Sequence, residues 1–207
     1  MNDASEEQLE LFLQGCILDN KLEGLLTRLR GICDRKGSKC QFRENEIFVK
    51  IKDKNDAMIN VIMVYDVGAT TKNVYLKYTG PINTYSHESK ELAMQRNVMQ
   101  IYANDSLTNL MKNMGFRTYF ELFRSGHIFF KNNVKIVISK LYNLPQASVS
   151  YNQAMTPFTK SNFVELSITS SSKNALRDID ELRKAADLLK PLVNVGCIDQ
   201  SILLFDT

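Results

Sequence analysis

Seven charged or amide side chains stand on the polar faces of segments that alternate polar and apolar residues. A β-barrel whose inward face alternates Glu with Lys or Arg can hold a divalent cation on the carboxylates and a polyphosphate on the cations. The simpler interpretation is that these faces look at solvent, and the sequence leaves both open. The seven candidates are Glu10, Gln14, Glu46, Lys50, Lys77, Lys140 and Glu165.

Sequence motifs of the common nucleotide-binding and hydrolytic sites are missing from the chain. There is no GxGxxG, no GxxxxGK[ST] and no GxSxG. The two histidines are His87, in a polar segment, and His127, at a predicted β-turn, where a local hydrogen bond explains the residue better than catalysis does. No HxxxH pair or dense carboxylate motif indicates a metal. We therefore predict no catalytic residue, no metal and no cofactor.

The four cysteines show no CxxC pair and no metal-ligand spacing. Cys16 and Cys33 stand in apolar patterns, so we predict that they are small core residues. Reduced thiols are expected, with a single disulfide as the alternative. The sequence does not decide the redox state of Cys33 and Cys40.

Composition and length describe one folded domain over residues 1–207, with an acidic tail at 1–8. Hydrophobic residues make up 44% and charged residues 24%, a balance that excludes a disordered chain. We expect neither a signal peptide nor a membrane helix. Residues 21–54 carry ten Lys or Arg against five acids, which we interpret as a solvated face, with DNA contact as the alternative.

Hydrophobic periodicity predicts a mainly β (α+β) fold: a single antiparallel β-barrel of about eight strands with two longer flanking helices and one short helix. Asp19 or Asn20 should cap the first helix and Ser106 the short one, which should end at Gly115. Leu176 should begin the apolar stripe of the last helix. The predicted strands are 9–18, 44–52, 58–65, 74–79, 94–102, 118–124, 127–131, 134–142 and 162–169.

The connections are predicted from turn residues and polar runs. We expect loops at 34–39 and 82–90, turns at 125–126 and 132–133, and a flexible loop at 144–160. The tail, 193–207, fits either an edge strand or a docking segment.

The meander from 117 to 142 carries apolar side chains on both faces. One face should line the core, and the other should lie under a helix or a partner protein. Our candidate partner-binding residues are Tyr119, Phe120, Phe123, Phe129 and Phe130, with a place in this chain's own core as the alternative for each.

Five blocks of the sequence resemble the Mediator complex subunit 18 family, and they occur in that family's order. The first is LFLQGCILDNKLEGLLTRLRGICD, which begins at Leu11. The others are SLTNLMKNMGFR, SGHIFFKNNVKIVISKLY, FVELSI and LLKPLVNVGCID. Together they cover about a third of the residues and span nearly the whole chain.

This resemblance implies a closed or nearly closed barrel with packed helices, and a non-catalytic, nuclear subunit of the Mediator head module. It further implies pairing with the related barrel of Mediator subunit 20 and binding of the C-terminal helix of subunit 8. The assembly would bridge regulators and RNA polymerase II at initiation. Neither sequence-specific DNA binding nor membrane association is implied.

The family's barrel is similar to that of triphosphate-tunnel enzymes, and this similarity raises the alternative of a triphosphate- or polyphosphate-binding or hydrolysing barrel. Those enzymes begin with an ExExK strand whose acids hold metal and whose lysine binds phosphate. Here Glu10, Phe12 and Gln14 stand at the alternate positions. An aromatic ring cannot bind a hard cation, and an amide cannot neutralise a phosphate. We therefore predict a barrel of this type without its enzymatic activity.

Overall fold

The computed structural model describes residues 8–51, 59–65, 72–87, 90–104, 106–143, 156–171 and 173–198. Within them it forms ten strands and three α-helices. The strands are β1 Gln8–Leu18, β2 Asp34–Ile51, β3 Ile59–Tyr65, β4 Lys72–Thr79, β5 Asn83–His87, β6 Lys90–Ala103, β7 Phe116–Lys131, β8 Val134–Asn143, β9 Thr156–Pro157 and β10 Ser161–Ser170. The helices are α1 Leu22–Ile32, α2 Leu107–Asn113 and α3 Ala175–Asp187.

The strands make one antiparallel sheet that curls until its two sides meet. Its order is β1-β10-β8-β7-β2-β3-β4-β6, and β6 pairs back onto β1, where Glu10 lies opposite Arg96 and Phe12 opposite Met94. Eight strands therefore close into a barrel. β5 pairs with β6, and β9 pairs with the end of β8. The predicted antiparallel barrel is confirmed.

Strand register decides which side chains face the inside of the barrel, because successive residues alternate and paired residues share a face. On β1 the inner face carries Glu10, Phe12 and Gln14. Leu11 and Leu13 face outward and are 0% and 2% exposed. A strand buried on both faces lies between an outer core and an inner tunnel.

The outer core forms where α1 and α3 pack on one side of the barrel, over β1, β10 and β8. α1 contributes Leu25 and Leu29, and α3 contributes Ile179 and Leu182, each 1% exposed or less. Together these side chains form one cluster with the outward residues of the three strands. Side chains of this size contribute about 1.5–3 kcal/mol each when fully buried.

A hydrogen bond from a side chain links α1 to the segment that follows α3. Arg28 Nη1 donates to the carbonyl oxygen of Lys190 at 2.6 Å, just beyond α3. Leu176 is 49% exposed, so its predicted place in the stripe of α3 is wrong. Ala175, one residue earlier, is buried instead, because the helix is rotated so that the smaller side chain meets the sheet.

A second, smaller cluster lies under α2 on the other side of the barrel. Leu107 and Met111 pack on Val74 of β4 and Phe116 of β7. Gly115 follows with φ +92°, the left-handed conformation predicted for this C-terminal position.

The predicted N-cap at Asp19 or Asn20 is wrong, and Ser106 is the N-cap residue of α2 as predicted but makes no capping bond with its side chain. No side-chain hydrogen bond caps α1 or α2. Asp19 lies in a 3-10 turn, and its carboxylate accepts hydrogen bonds from Lys140 and Asn162 instead. Ser106 stands at the start of α2 but donates its hydroxyl to Asn104. The Asp19 carboxylate therefore bonds to side chains far along the chain, and the predicted bond to the backbone of α1 does not form.

Several predicted connections are strands in the structure. The predicted loop 34–39 belongs to β2, which pairs with β7 through bulges, and most of the predicted loop 82–90 is β5. The predicted turn at Ser125-Gly126 is wrong, since β7 continues through it. Neighbouring strands supply hydrogen bonds to these polar segments, so composition does not decide their structure.

The turn at 132–133 is confirmed, with Asn132 at φ 51°. Most of the predicted loop 144–160 and of the acidic tail lies outside the described residues. In the C-terminal tail that begins at 193, the backbone N–H and C=O of Gly196 both form hydrogen bonds with the backbone of Gln14 in β1. In the described part of the chain, none of the helices is long and apolar enough to cross a membrane.

Candidate functional site

The inner face of the barrel opens at one end into a polar cavity of about 650 Å³, which we call the tunnel mouth. Residues of β1, β4, β6, β7, β8 and β10 line it, together with the β7–β8 turn. Neutral hydrogen-bonding groups predominate among them. Its lining residues are Gln8, Glu10, Lys77, Val98, Gln100, Phe130, Asn132, Asn133, Lys135, Ser167 and Thr169.

One carboxylate in the tunnel mouth is surrounded by cations from three other strands. Arg96 of β6 donates from Nε to Glu10 Oε2 at 2.6 Å, and Lys77 Nζ of β4 lies 4.0 Å from the same oxygen. The side chains of Glu10, Arg96 and Lys77 are 13%, 16% and 20% exposed. Lys135 of β8 also acts on Glu10 electrostatically. The cluster therefore carries more positive than negative charge.

The surroundings of Glu10 change the pKa of its carboxyl in opposite directions. Burial raises the pKa, because the ionised form loses water. The positive charges of Lys77 and Arg96, the hydrogen bond from Arg96 and the charge of Lys135 lower it, and the net pKa is lowered. Glu10 is therefore an ionised group that stabilises the closure of β6 and β4 against β1.

We expect Glu10→Gln to lower the free energy of unfolding by about 2–3 kcal/mol at pH 7. This is less than the ~3–5 kcal/mol of a fully buried pair, since the cavity is open to water. The contribution of Glu10 is complete above its unfolded pKa of about 4.3 and is lost as pH falls through the lowered folded pKa. Urea unfolding at pH 7 and pH 3 should therefore show the difference between wild type and variant shrinking in acid.

Glu23→Gln is the matched control for that substitution. Glu23 pairs with Arg30 on the surface at 2.8 Å, with 75% and 50% of the two side chains exposed. We expect a change of no more than about 0.5 kcal/mol there. Equal losses in the two variants would contradict a special role for the Glu10 cluster.

Behind the tunnel mouth, an aromatic ring occupies the barrel. Phe12 is 0% exposed, and the guanidinium of Arg96 lies over its ring, 4.5 Å from the centroid. The next inward residue, Gln14, donates from Nε2 to Glu165 Oε2 at 2.8 Å. A buried aromatic ring and an amide–carboxylate pair therefore occupy the inner face of β1 behind the tunnel mouth.

The seven residues proposed from sequence as tunnel-lining are only partly brought together. The structure places Glu10 with Lys77, and Gln14 with Glu165, on the inner face. Lys140 follows the inward Ser139, so it faces outward and binds Asp19 at 2.7 Å; its predicted place in the tunnel is wrong. The side chains of Glu46 and Lys50 lie outside the described residues. Across the described residues, no group of three His, Cys, Asp or Glu is arranged to hold a metal ion.

Three of the five aromatic residues proposed from sequence as partner contacts have described side chains, and these lie in two environments. Phe123 and Phe129 are buried within this chain, at 6% and 4% exposure. Phe130 is half-buried and lines the tunnel mouth. The side chains of Tyr119 and Phe120 lie outside the described residues. A contact with a partner stays a prediction for these residues.

A separate apolar surface lies on the outside of β4 and β6. Leu76 is paired with Ile101, and Tyr78 with Met99. Tyr78, Met99 and Ile101 are 39%, 52% and 53% exposed. We call these four residues the β4–β6 face. This face adjoins the cluster under α2, and Leu76 is the residue of the face that packs against that cluster.

Sequence reasoning missed both the β4–β6 face and the role of Arg96. The signal was present in the alternation of 94–102, where Met99 and Ile101 occupy one face and Arg96, Val98 and Gln100 the other. Which of these two faces points into the barrel is decided by the pairing of β6 with β1.

Cys16 and Cys33 are thiols in the structure, and they differ in exposure. The predicted core position of Cys16 is wrong, because its side chain is exposed, whereas Cys33 is half-buried against the outer core. Burial raises the pKa of the Cys33 thiol to about 11, opposed by the charge of Lys131 and reinforced by Asp34. Because the thiolate is the nucleophile, we expect iodoacetamide at pH 8 to modify the exposed Cys16 well before Cys33. Peptide mapping by mass spectrometry checks this order, and equal rates would contradict the burial of Cys33.

A closed antiparallel barrel with a polar mouth and a buried Phe12 behind it defines a tunnel-type barrel. Its described residues do not include a set of acids arranged to hold a metal ion. The fold is similar to that of the Mimivirus capping enzyme triphosphatase, with a TM-score of 0.53 and 10% identity, covering 91% of each chain. It is also similar to a chain of the Schizosaccharomyces pombe Mediator head module. There the TM-score is 0.75, with 17% identity over 90% of this chain and 97% of that one.

Sequence comparison identifies the family. The family model described as Med18 protein matches residues 46–206. The Danio rerio protein "Mediator of RNA polymerase II transcription subunit 18" is 30% identical over 196 residues, covering 95% of this chain and 91% of that protein. The chain belongs to the Mediator subunit 18 family.

Proposed function

We propose that this chain is a non-catalytic interaction subunit of the Mediator head module that works in the nucleus. In this role it helps to bridge regulators and RNA polymerase II at initiation. The observation that carries the proposal is the exposed β4–β6 face on a barrel in which Phe12 is buried behind the tunnel mouth. Neighbouring large apolar side chains that are 39–53% exposed on one sheet face are typical of a protein–protein contact.

We assign the β4–β6 face to the related barrel of Mediator subunit 20. The outer faces of β1, β10 and β8 are already covered by α1 and α3. Among the described outer faces, β4 and β6 therefore offer the apolar sheet surface on which a second barrel can pack. Tyr78, Met99 and Ile101 would lie near the centre of the contact, where large apolar side chains contribute most.

The C-terminal helix of Mediator subunit 8 is the second proposed partner. Leu110 of α2 and Met114, the residue that follows the helix, are 54% and 63% exposed and stand one turn apart. An amphipathic helix can bury its apolar face against such a pair. Tyr119 and Phe120, which follow on β7, remain predicted contacts for this helix.

Co-expression of the three subunits with a tag on this chain tests the proposal. Wild type should co-purify with subunits 20 and 8. We expect Ile101→Glu to weaken the binding of subunit 20 by at least about tenfold, since a charge placed at the centre of an apolar contact loses its water. Because Ile101 is half exposed in the free chain, its stability should change little.

Leu176→Glu is the matched control, since Leu176 is also about half exposed but lies on α3, outside the β4–β6 face. It should leave the binding of both partners unchanged. A wild-type chain that binds neither partner would refute the interaction proposal. Normal binding of subunit 20 by Ile101→Glu would refute only its assignment to the β4–β6 face.

A phosphate-release assay with tripolyphosphate and Mn²⁺ or Mg²⁺ tests the enzymatic alternative. We expect no turnover above the rate of a no-protein blank. Turnover that is abolished by Glu165→Ala or Glu46→Ala would overturn the non-catalytic interpretation.

A further inference from the structure

We propose that residues 1–7 extend β1 as a strand along the edge of β6 at 99–103 and complete the seam of the barrel beside the tunnel mouth. The occupant of that edge is therefore this chain's own acidic segment. The inference concerns a strand edge in the free chain, so it does not depend on the partners proposed for the β4–β6 face.

The seam between β1 and β6 covers only part of β6 in the described residues. Its pairs run from Phe12 opposite Met94 to Gln8 opposite Val98, and Gln8 is the first described residue of β1. β6 continues beyond this last pair to Ala103, and there it pairs with β4 on its other side. Within the described residues, no strand pairs with 99–103 on the β1 side.

The backbone groups of Gln100 and Tyr102 point to that side. Successive residues of a paired strand direct their N–H and C=O groups to alternate sides. The carbonyl oxygen of Asn97 accepts from the backbone N–H of Gly80 at 2.8 Å, so odd-numbered residues of β6 bond towards the β4–β5 side. Gln100 and Tyr102 therefore direct theirs towards β1, and both residues are exposed. Such a row of groups is a template for a further strand.

Residues 1–7 have the direction and the length that this edge requires. Because β1 and β6 are antiparallel, each step back along the chain from Gln8 is a step forward along β6 from Val98. Continuing this register places Glu6 opposite Gln100. The segment is also long enough to reach Ala103, the last residue of β6.

The same register gives one acid of the segment a place at the tunnel mouth. Glu6 precedes Gln8 by two positions, so it continues the inward series of β1. Its neighbour across the seam would be Gln100, which pairs on its other side with Lys77. Gln100 and Lys77 both line the tunnel mouth. Attraction between the Glu6 carboxylate and the Lys77 ammonium would add to the backbone bonds of the seam.

Amide hydrogen exchange of the full chain, followed by NMR, tests the proposal. Glu6 and Glu7 offer matched substitutions, because proline at either position removes one acid and one backbone N–H. The N–H of Glu6 would bond to Gln100, whereas that of Glu7 would point to the opposite side, where β10 ends at Ser170. We expect the Gln100 amide to exchange at least about tenfold faster in Glu6→Pro than in wild type, and within about threefold of wild type in Glu7→Pro.

Met99 and Ile101 supply the internal reference for this measurement. Their amides bond towards β4, so they should exchange at the same rate in all three proteins. Equal exchange of Gln100 in wild type and Glu6→Pro would overturn the proposal. Protection of Gln100 that increases with protein concentration would also overturn it, because a second copy would then occupy the edge.

An engineered disulfide measures the register in a variant that keeps the backbone N–H groups. Ser5 would lie opposite Ile101, in a pair whose Cα atoms are about 4.5 Å apart, which a disulfide can span. We expect Ser5→Cys with Ile101→Cys to form this bond under mild oxidation, as identified by peptide mapping. Ser5→Cys with Gln100→Cys is the control and should not form it, since position 100 faces into the barrel. No intramolecular bond in the first pair, or equal yields in the two pairs, would overturn the proposal.

Discussion

Gly126→Ala should lower the free energy of unfolding by about 3–4 kcal/mol, at the upper end of what overpacking costs. A Cβ atom at Gly126 would lie 1.9 Å from the carbonyl oxygen of Ile138 and 2.8 Å from the Cα of Ser139. Both atoms belong to the backbone of β8, which cannot rotate away as a side chain would. The two strands would have to separate at this point, and their ladder hydrogen bonds would weaken.

Urea unfolding followed by circular dichroism measures this loss. Gly24→Ala is the matched control, because nothing lies within 4 Å of a Cβ at Gly24 of α1. Alanine is the better helix former, so we expect a gain of about 0.5 kcal/mol there. A loss of less than about 1 kcal/mol in Gly126→Ala would show that β7 and β8 are farther apart than the structure has them.

Phe12→Ala should lower the free energy of unfolding by about 3–5 kcal/mol, the usual range for a fully buried phenylalanine. The ring is 0% exposed, and its loss would leave a cavity between the tunnel mouth and the deeper part of the barrel. It would also remove the contact with Arg96, which lies 4.5 Å from the ring centroid. Stability and the position of the Arg96 side chain are therefore coupled at this residue.

Phe12→Leu is the control, since leucine keeps most of the apolar volume and should lose about 1 kcal/mol. The two variants are compared by urea unfolding at pH 7. Equal and small losses would contradict the placement of Phe12 as the plug of the barrel. The difference between them measures how much of the effect comes from the cavity.

Several predictions from sequence alone are confirmed because they rest on short-range periodicity. The alternation of β10 correctly places Val164, Leu166 and Ile168 in the core. The stripe of α3 is correct at Ile179 and Leu182, and it fails at Leu176. The family was also recognisable from sequence, because its blocks follow one another in order along the chain.

Other features could not be read from local sequence because they depend on distant pairing. β5 is polar, so its sequence predicts a loop, and only its pairing with β6 makes it a strand. Gly126 looked like a turn residue, but it is required because β8 passes close to it. In both cases the deciding contact comes from a strand at another position in the sheet, whose identity the local pattern does not contain.

The sequence by itself indicated an antiparallel barrel with flanking helices, and its resemblance to a known family implied that Phe12 and Gln14 stand where a related enzyme would carry an acid and a lysine. Only the tertiary structure decided that Arg96, 86 residues from Glu10, holds its carboxylate, and that Met99 stands on an exposed outer face. The physical reason is closure. A strand's alternation defines two faces, but which of them lines the tunnel is decided when β6 pairs with β1 and completes the barrel.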